Sequence, residues 1–198
     1  MMVKICGITT LEDALAAIDE GATALGFNFY PRSPRYIAPE VATGIIAELP
    51  KDCLKVGVFV NEIPETVKAI AEEAGLDIVQ LHGKETPEQV PVGYPVWKAF
   101  RVDATFSPEQ LRDFPAEAYL LDSPTELYGG SGHSFDWNMA RGIGAKIILA
   151  GGLDASNIRR AIAVAQPWGV DACSKLEAAP GRKDRAKMSA FLRELRNL

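Results

Sequence analysis

The chain has 198 residues, 47% of them apolar, which supports one sizeable core but not two full domains; one compact domain over residues 1–198 is expected. The net charge, 21 − 26 = −5, argues against a nucleic-acid surface, while local basic loops and backbone amides could still hold a small anion. Cys6, Cys53 and Cys173 are an odd set without C-x-x-C spacing, and no signal-like start or membrane-length apolar run occurs, so reduced thiols, a cytoplasmic location and no membrane partner are expected.

Short apolar runs recur along the chain, each followed by an amphipathic or polar stretch. The first strand is expected at Val3–Cys6, and a helix at Thr10–Glu20 follows it. That helix has Thr10 as N-cap, Leu11, Ala14, Leu15 and Ile18 at helical spacing, and Gly21 past its end. A second strand at Ala24–Phe29 leads into a loop with Arg32 and Arg35. A third strand at Leu54–Val60 precedes a helix at Pro64–Ala74 that opens on proline and closes at Gly75. Strands at Asp77–His82, Val96–Val102 and Ala118–Asp122 follow, with only short helices predicted at Thr86–Val90 and Pro108–Asp113. Strands at Lys146–Ala150 and Gly169–Ser174 and a helix at Arg182–Leu198 complete the series.

Several of these strands, such as VGVFV and IILAG, are continuous apolar runs, the mark of parallel strands covered on both faces. Strict βα alternation leaves an open doubly wound sheet or a closed barrel. Eight units, with no G-x-G-x-x-G turn after the first strand, favour a single-domain (β/α)8 TIM barrel.

In such a barrel the chemistry sits where strands end. Strand one ends at Cys6, which alternation places on the side of Lys4, facing a polar axis. A cysteine is usually an inert apolar filler, but a thiol ending a strand beside Gly7 suits a general base. Strand six ends at Asp122, which reads either as a loop-closing carboxylate or as a general acid kept protonated by an apolar surround. Gly151 and Gly152 follow strand seven, and Ser174-Lys175, with Ala179-Pro180-Gly181 further on, follows strand eight. Those loops commonly cradle phosphate in barrels. The loop after strand two reads as a solvated turn or as an arginine clamp for a carboxylate. His82 reads as a hydrogen-bonded wall, since nothing near it has metal spacing, and His133 receives no role.

The ordered segments KICGIT (4–9), GFNFYPRSPRYI (26–37), VGVFVN (56–61), VQLHG (79–83), LLDS (120–123), GGSGHSFDW (129–137), ILAGGL (148–153) and the PGRKD region (180–184) resemble the phosphoribosylanthranilate isomerases. The resemblance implies an Amadori rearrangement of a phosphorylated small molecule with no cofactor and no metal. Cys6 would be the base and Asp122 the acid. Arg35 would lie near the anthranilate carboxylate, with His82 beside the substrate; Gly151, Gly152, Ser174 and Lys175 would hold phosphate, and Asp171 the sugar hydroxyls. One position departs from the family, whose strand-eight loop usually reads VSSGVE: here it is Ala172-Cys173-Ser174-Lys175-Leu176-Glu177. If that position needs φ > 0, Lys175 strains the loop or crowds the phosphate; otherwise its ammonium adds a contact. Two other readings stand beside the first. One is a related aminoaldose isomerase barrel, which would use two aspartates; the other is a barrel that binds sugar phosphate without turnover. Monomer and homodimer are equally compatible with the sequence.

Overall fold

The computed structural model describes residues 1–123 and 135–196. Eight parallel strands close into a barrel in chain order: β1 Met2–Cys6, β2 Ala24–Asn28, β3 Leu54–Phe59, β4 Ile78–Leu81, β5 Val96–Arg101, β6 Ala118–Asp122, β7 Ile147–Leu149 and β8 Gly169–Ala172. The seam is β1 on β8, with Met2 opposite Gly169 and Ile5 opposite Ala172. This is the (β/α)8 barrel expected from the alternation.

Local chemistry explains the helices. Thr10 lies in extended backbone, and its hydroxyl accepts from the Asp13 amide at 3.2 Å, which starts α1 at Leu11–Asp19. Pro39 and Pro64 open α2 (Pro39–Ala47) and α3 (Pro64–Ala74), where a missing amide costs nothing and φ is already helical. The two short segments are shorter still: a 3-10 turn at Pro87–Gln89 and the single turn α4 at Glu109–Arg112. α5 (Ile158–Ala165) packs against a 3-10 turn at Trp137–Ala140.

Two boundaries differ from the sequence expectation by more than one residue, and both matter for the site. β8 stops at Ala172, and Ser174–Leu176 forms a 3-10 turn instead of prolonging the strand. The turn swings Leu176 into full burial and brings the Glu177 carboxylate inward. The last helix, α6, begins at Arg185 and runs to Arg196. The preceding Arg182–Lys183 (β10) pairs antiparallel with Glu177–Ala179 (β9), because Lys183 finds its partner in Glu177, 3.1 Å away.

The core has two compartments. Between strands and helices lies an outer shell that includes Ile5, Leu25, Phe27, Phe59, Leu121, Met188 and Phe191. Inside the barrel, Met2, Ala24, Val56, Ile78, Trp97, Ala99, Ala118, Leu120 and Ile148 plug the lower half. With apolar side chains filling the bottom, the inward positions one step nearer the C-terminal ends are free to be polar. Those ends carry the candidate site.

Candidate active site

Cys6, Arg35, His82, Asp122, Gly151, Gly152, Asp171, Ser174 and Lys175 line one cavity at that end, whereas Arg32 and the Ala179-Pro180-Gly181 segment do not border it. His133 and most of the glycine-rich loop after β6 lie outside the described residues.

Cys6 ends β1, two residues after the wholly buried Lys4, whose Nζ lies 2.9 Å from Asp171 Oδ1 across the barrel seam. Gly26 on β2 makes room for this group, since a Cβ there would stand 2.7 Å from Cys6 Sγ and 2.9 Å from Lys4 Nζ. The Cys6 thiol is held well below the ordinary thiol range. A hydrogen bond with Cys173 is the main cause; burial opposes it, and the Lys4 and Lys183 ammonium groups add to it. Cys173 is pushed well up in turn, because it donates to Cys6 and its thiol is withdrawn from water in a half-buried position. Burial lifts Asp171 to about 6 despite the Lys4 ammonium, with the Cys6 sulfur and the Asp122 carboxyl adding to the rise. Lys4 is disfavoured as a cation by burial, yet Asp171 and Cys6 outweigh that and hold its proton more firmly than usual.

Asp122 ends β6 across the cavity from β1. Its Oδ1 accepts the Ser123 amide at 2.8 Å, and its Oδ2 lies 3.4 Å from His82 Nε2. His82 Nδ1 is 3.0 Å from the side-chain amide of Gln80, which is 1% exposed. The ends of β6 and β7 meet closely because residue 151 is glycine. At φ +84 it turns the chain, and a Cβ there would lie 2.6 Å from the Ser123 amide and 2.8 Å from Asp122 Oδ1. Gly152 also has positive φ, and its carbonyl accepts from Asn157 at 2.8 Å, fixing the loop that enters α5.

Arg35 reaches the cavity from the β2 loop. Its guanidinium forks onto Glu177, with Nε–Oε1 2.9 Å and Nη2–Oε2 2.7 Å. Glu177 also accepts from Lys183 and from the Gly181 amide, at 3.1 and 3.3 Å. Burial alone would push the Glu177 carboxyl up, but these cations hold it below the ordinary range. Lys175 is the middle residue of the 3-10 turn, exposed at the mouth, and its φ is not positive. The strain that a glycine-requiring position would impose is therefore absent; the loop here takes a conformation open to any side chain.

The sequence reading missed Asn28, Gln80 and Cys173, which also line the cavity. Gln80 and Cys173 sit two positions along a strand or its extension from His82 and Asp171, which the sequence had marked, so alternation carried a signal for those two; Asn28 had no such neighbour. Nothing local marked Glu177, whose partner Arg35 is 142 residues away. Among the described residues, no group of three or more His, Cys, Asp or Glu side chains is placed to hold a metal ion.

Residues 3–194 match the family of N-(5'-phosphoribosyl)anthranilate (PRA) isomerases. The N-(5'-phosphoribosyl)anthranilate isomerase of Solibacter usitatus is 56% identical over 193 residues, spanning 97% of this chain and 96% of its own. The crystal structure of phosphoribosyl anthranilate isomerase from Thermus thermophilus superposes with a TM-score of 0.93 at 43% identity, covering 100% of this chain and 99% of its own. A phosphoribosyl anthranilate isomerase crystallised in complex with reduced 1-(o-carboxyphenylamino)-1-deoxyribulose 5-phosphate superposes at 0.88 with 40% identity and full coverage of both chains.

Proposed function

We infer that this chain, which belongs to the N-(5'-phosphoribosyl)anthranilate isomerase family, carries out the Amadori rearrangement of phosphoribosylanthranilate in tryptophan biosynthesis. The product is 1-(2-carboxyphenylamino)-1-deoxyribulose 5-phosphate. The observation that carries the reading is the convergence of Cys6 and Asp122, from opposite sides of the barrel, on one cavity that the loops after β7 and β8 also border.

The Asp122 carboxyl gives its proton to the furanose ring oxygen, and the ring C–O bond breaks as the anilino nitrogen lone pair forms a Schiff base. The Cys6 thiolate then takes the proton from C2′, and the electrons of that C–H bond move to give an enolamine. Tautomerisation to the ketose completes an isomerisation in which no atom is gained or lost. Lys4 and the Cys173 thiol support the thiolate form that this step needs. Arg35, oriented by Glu177, meets the anthranilate carboxylate, while Asp171 meets sugar hydroxyls. Amides of the loops at Gly151, Gly152 and Ser174 hold the phosphate, with the Lys175 ammonium at the rim.

The test is turnover of freshly generated phosphoribosylanthranilate, followed by loss of its fluorescence. Cys6→Ala and Asp122→Asn should each slow turnover by about 10²–10⁴-fold with the near-ultraviolet circular dichroism unchanged. Near-normal rates in either variant would remove that residue from its role, and an inactive parent enzyme would overturn the reading as a whole.

A further inference from the structure

We propose that Gln80 is a positioning residue for the acid step: its buried amide fixes the proton of neutral His82 on Nε2, so that this N–H faces Asp122. A neutral imidazole has one N–H, and the partner of its other nitrogen decides which atom carries it. Gln80 stands on β4 two residues before His82, on the same inward face, and its Nε2 lies 3.0 Å from His82 Nδ1. In this orientation the amide donates and Nδ1 accepts, so the ring proton belongs on Nε2, which lies 3.4 Å from Asp122 Oδ2. The Gln80 oxygen, the amide's one acceptor atom, is buried without a partner among the described residues.

The inference rests on the assignment of Asp122 as the acid. When Asp122 gives up its proton, negative charge grows on both carboxylate oxygens. One is met by the Ser123 amide at 2.8 Å and the other by the His82 N–H. Both donors bind the carboxylate more tightly than the acid, so they favour the transition state over the ground state, and a bond that is long in the free enzyme shortens as the charge develops. The opposite tautomer would aim a lone pair at that charge.

The chain has only two histidines, so long-range ¹H–¹⁵N spectra of the labelled protein can be assigned with a His82→Asn variant. We expect neutral His82 to carry its proton on Nε2; a proton on Nδ1 overturns the proposal without any variant having to fold. Gln80→Met keeps the side-chain length and removes the donor. It should bring up the Nδ1–H form and lower kcat about tenfold or more, with KM little changed. An unaltered tautomer, or an altered one with normal kcat, refutes the positioning role. An inactive parent enzyme would instead sink the isomerase reading, and the spectrum, which needs no substrate, would still report the tautomer.

Discussion

Replacing Lys4 by methionine removes a cation from a wholly buried position and strands its partner Asp171. At the 2.9 Å separation, an effective dielectric constant near 20 gives an attraction of about 6 kcal/mol. Relaxation and entering water reduce the measured loss to about 3–5 kcal/mol, the usual range for breaking a buried pair from one side. Against a total stability of about 5–15 kcal/mol, urea denaturation resolves that easily. The loss should depend on pH with a definite sign. Asp171 holds its proton up to about 6 in the folded chain, above the roughly 3.9 of an unfolded aspartate. Its ionisation therefore costs stability as the pH rises from about 4 to 6. In Lys4→Met the ammonium no longer opposes the rise, so the folded value moves higher and the cost keeps growing above pH 6. The deficit should be modest at pH 5 and largest near pH 8, and Lys4→Met/Asp171→Leu should recover most of it. A deficit that is the same at both pH values, or single-variant losses that simply add, would refute the pairing argument.

The lowered Cys6 thiol should be alkylated by iodoacetamide nearly as fast at pH 6.5 as at pH 8.5; an ordinary thiol would slow about 50-fold, and such slowing at the Cys6 peptide would contradict the thiolate assignment. Arg35→Lys cannot reproduce the fork onto Glu177 or onto a substrate carboxylate, so KM should rise about tenfold or more while kcat changes less; an unchanged KM would take Arg35 out of binding. Lys175→Gly should raise KM about two- to fivefold, roughly the 0.5–1 kcal/mol of an exposed charge contact, with kcat preserved; an unaltered KM would show that the ammonium does not reach the phosphate.

The barrel was legible because its strands are apolar runs of the right length, and because Cys6, Asp122 and the glycine pair at 151–152 all stand where runs end. Alternation from Lys4 to Cys6 even placed a lysine on the barrel axis, where it is wholly buried. What stayed hidden depends on partners distant in the chain. Arg182 and Lys183 have good helical propensity, yet they form a strand because Glu177 pulls Lys183 inward, a contact that no local window contains. Glu85 and Lys98 look like solvated charges but form a buried pair at 2.7 Å that fastens the loop after His82 to β5. The substitution at Lys175 looked strained only because the family's usual glycine suggested a left-handed turn, whereas the actual 3-10 turn does not need one.

The seam between β1 and β8 also sets an order of events during synthesis. Lys4 emerges from the ribosome first among the charged residues of the site, and its counter-charge Asp171 follows 167 residues later. Until the eighth strand arrives, the first has no neighbour on one edge, and its lysine lacks its counter-charge. Closing so long a stretch of chain is slow compared with forming local helices. The Lys4–Asp171 pair and the contact of Cys6 with Cys173 can therefore form only after the eighth strand has been made.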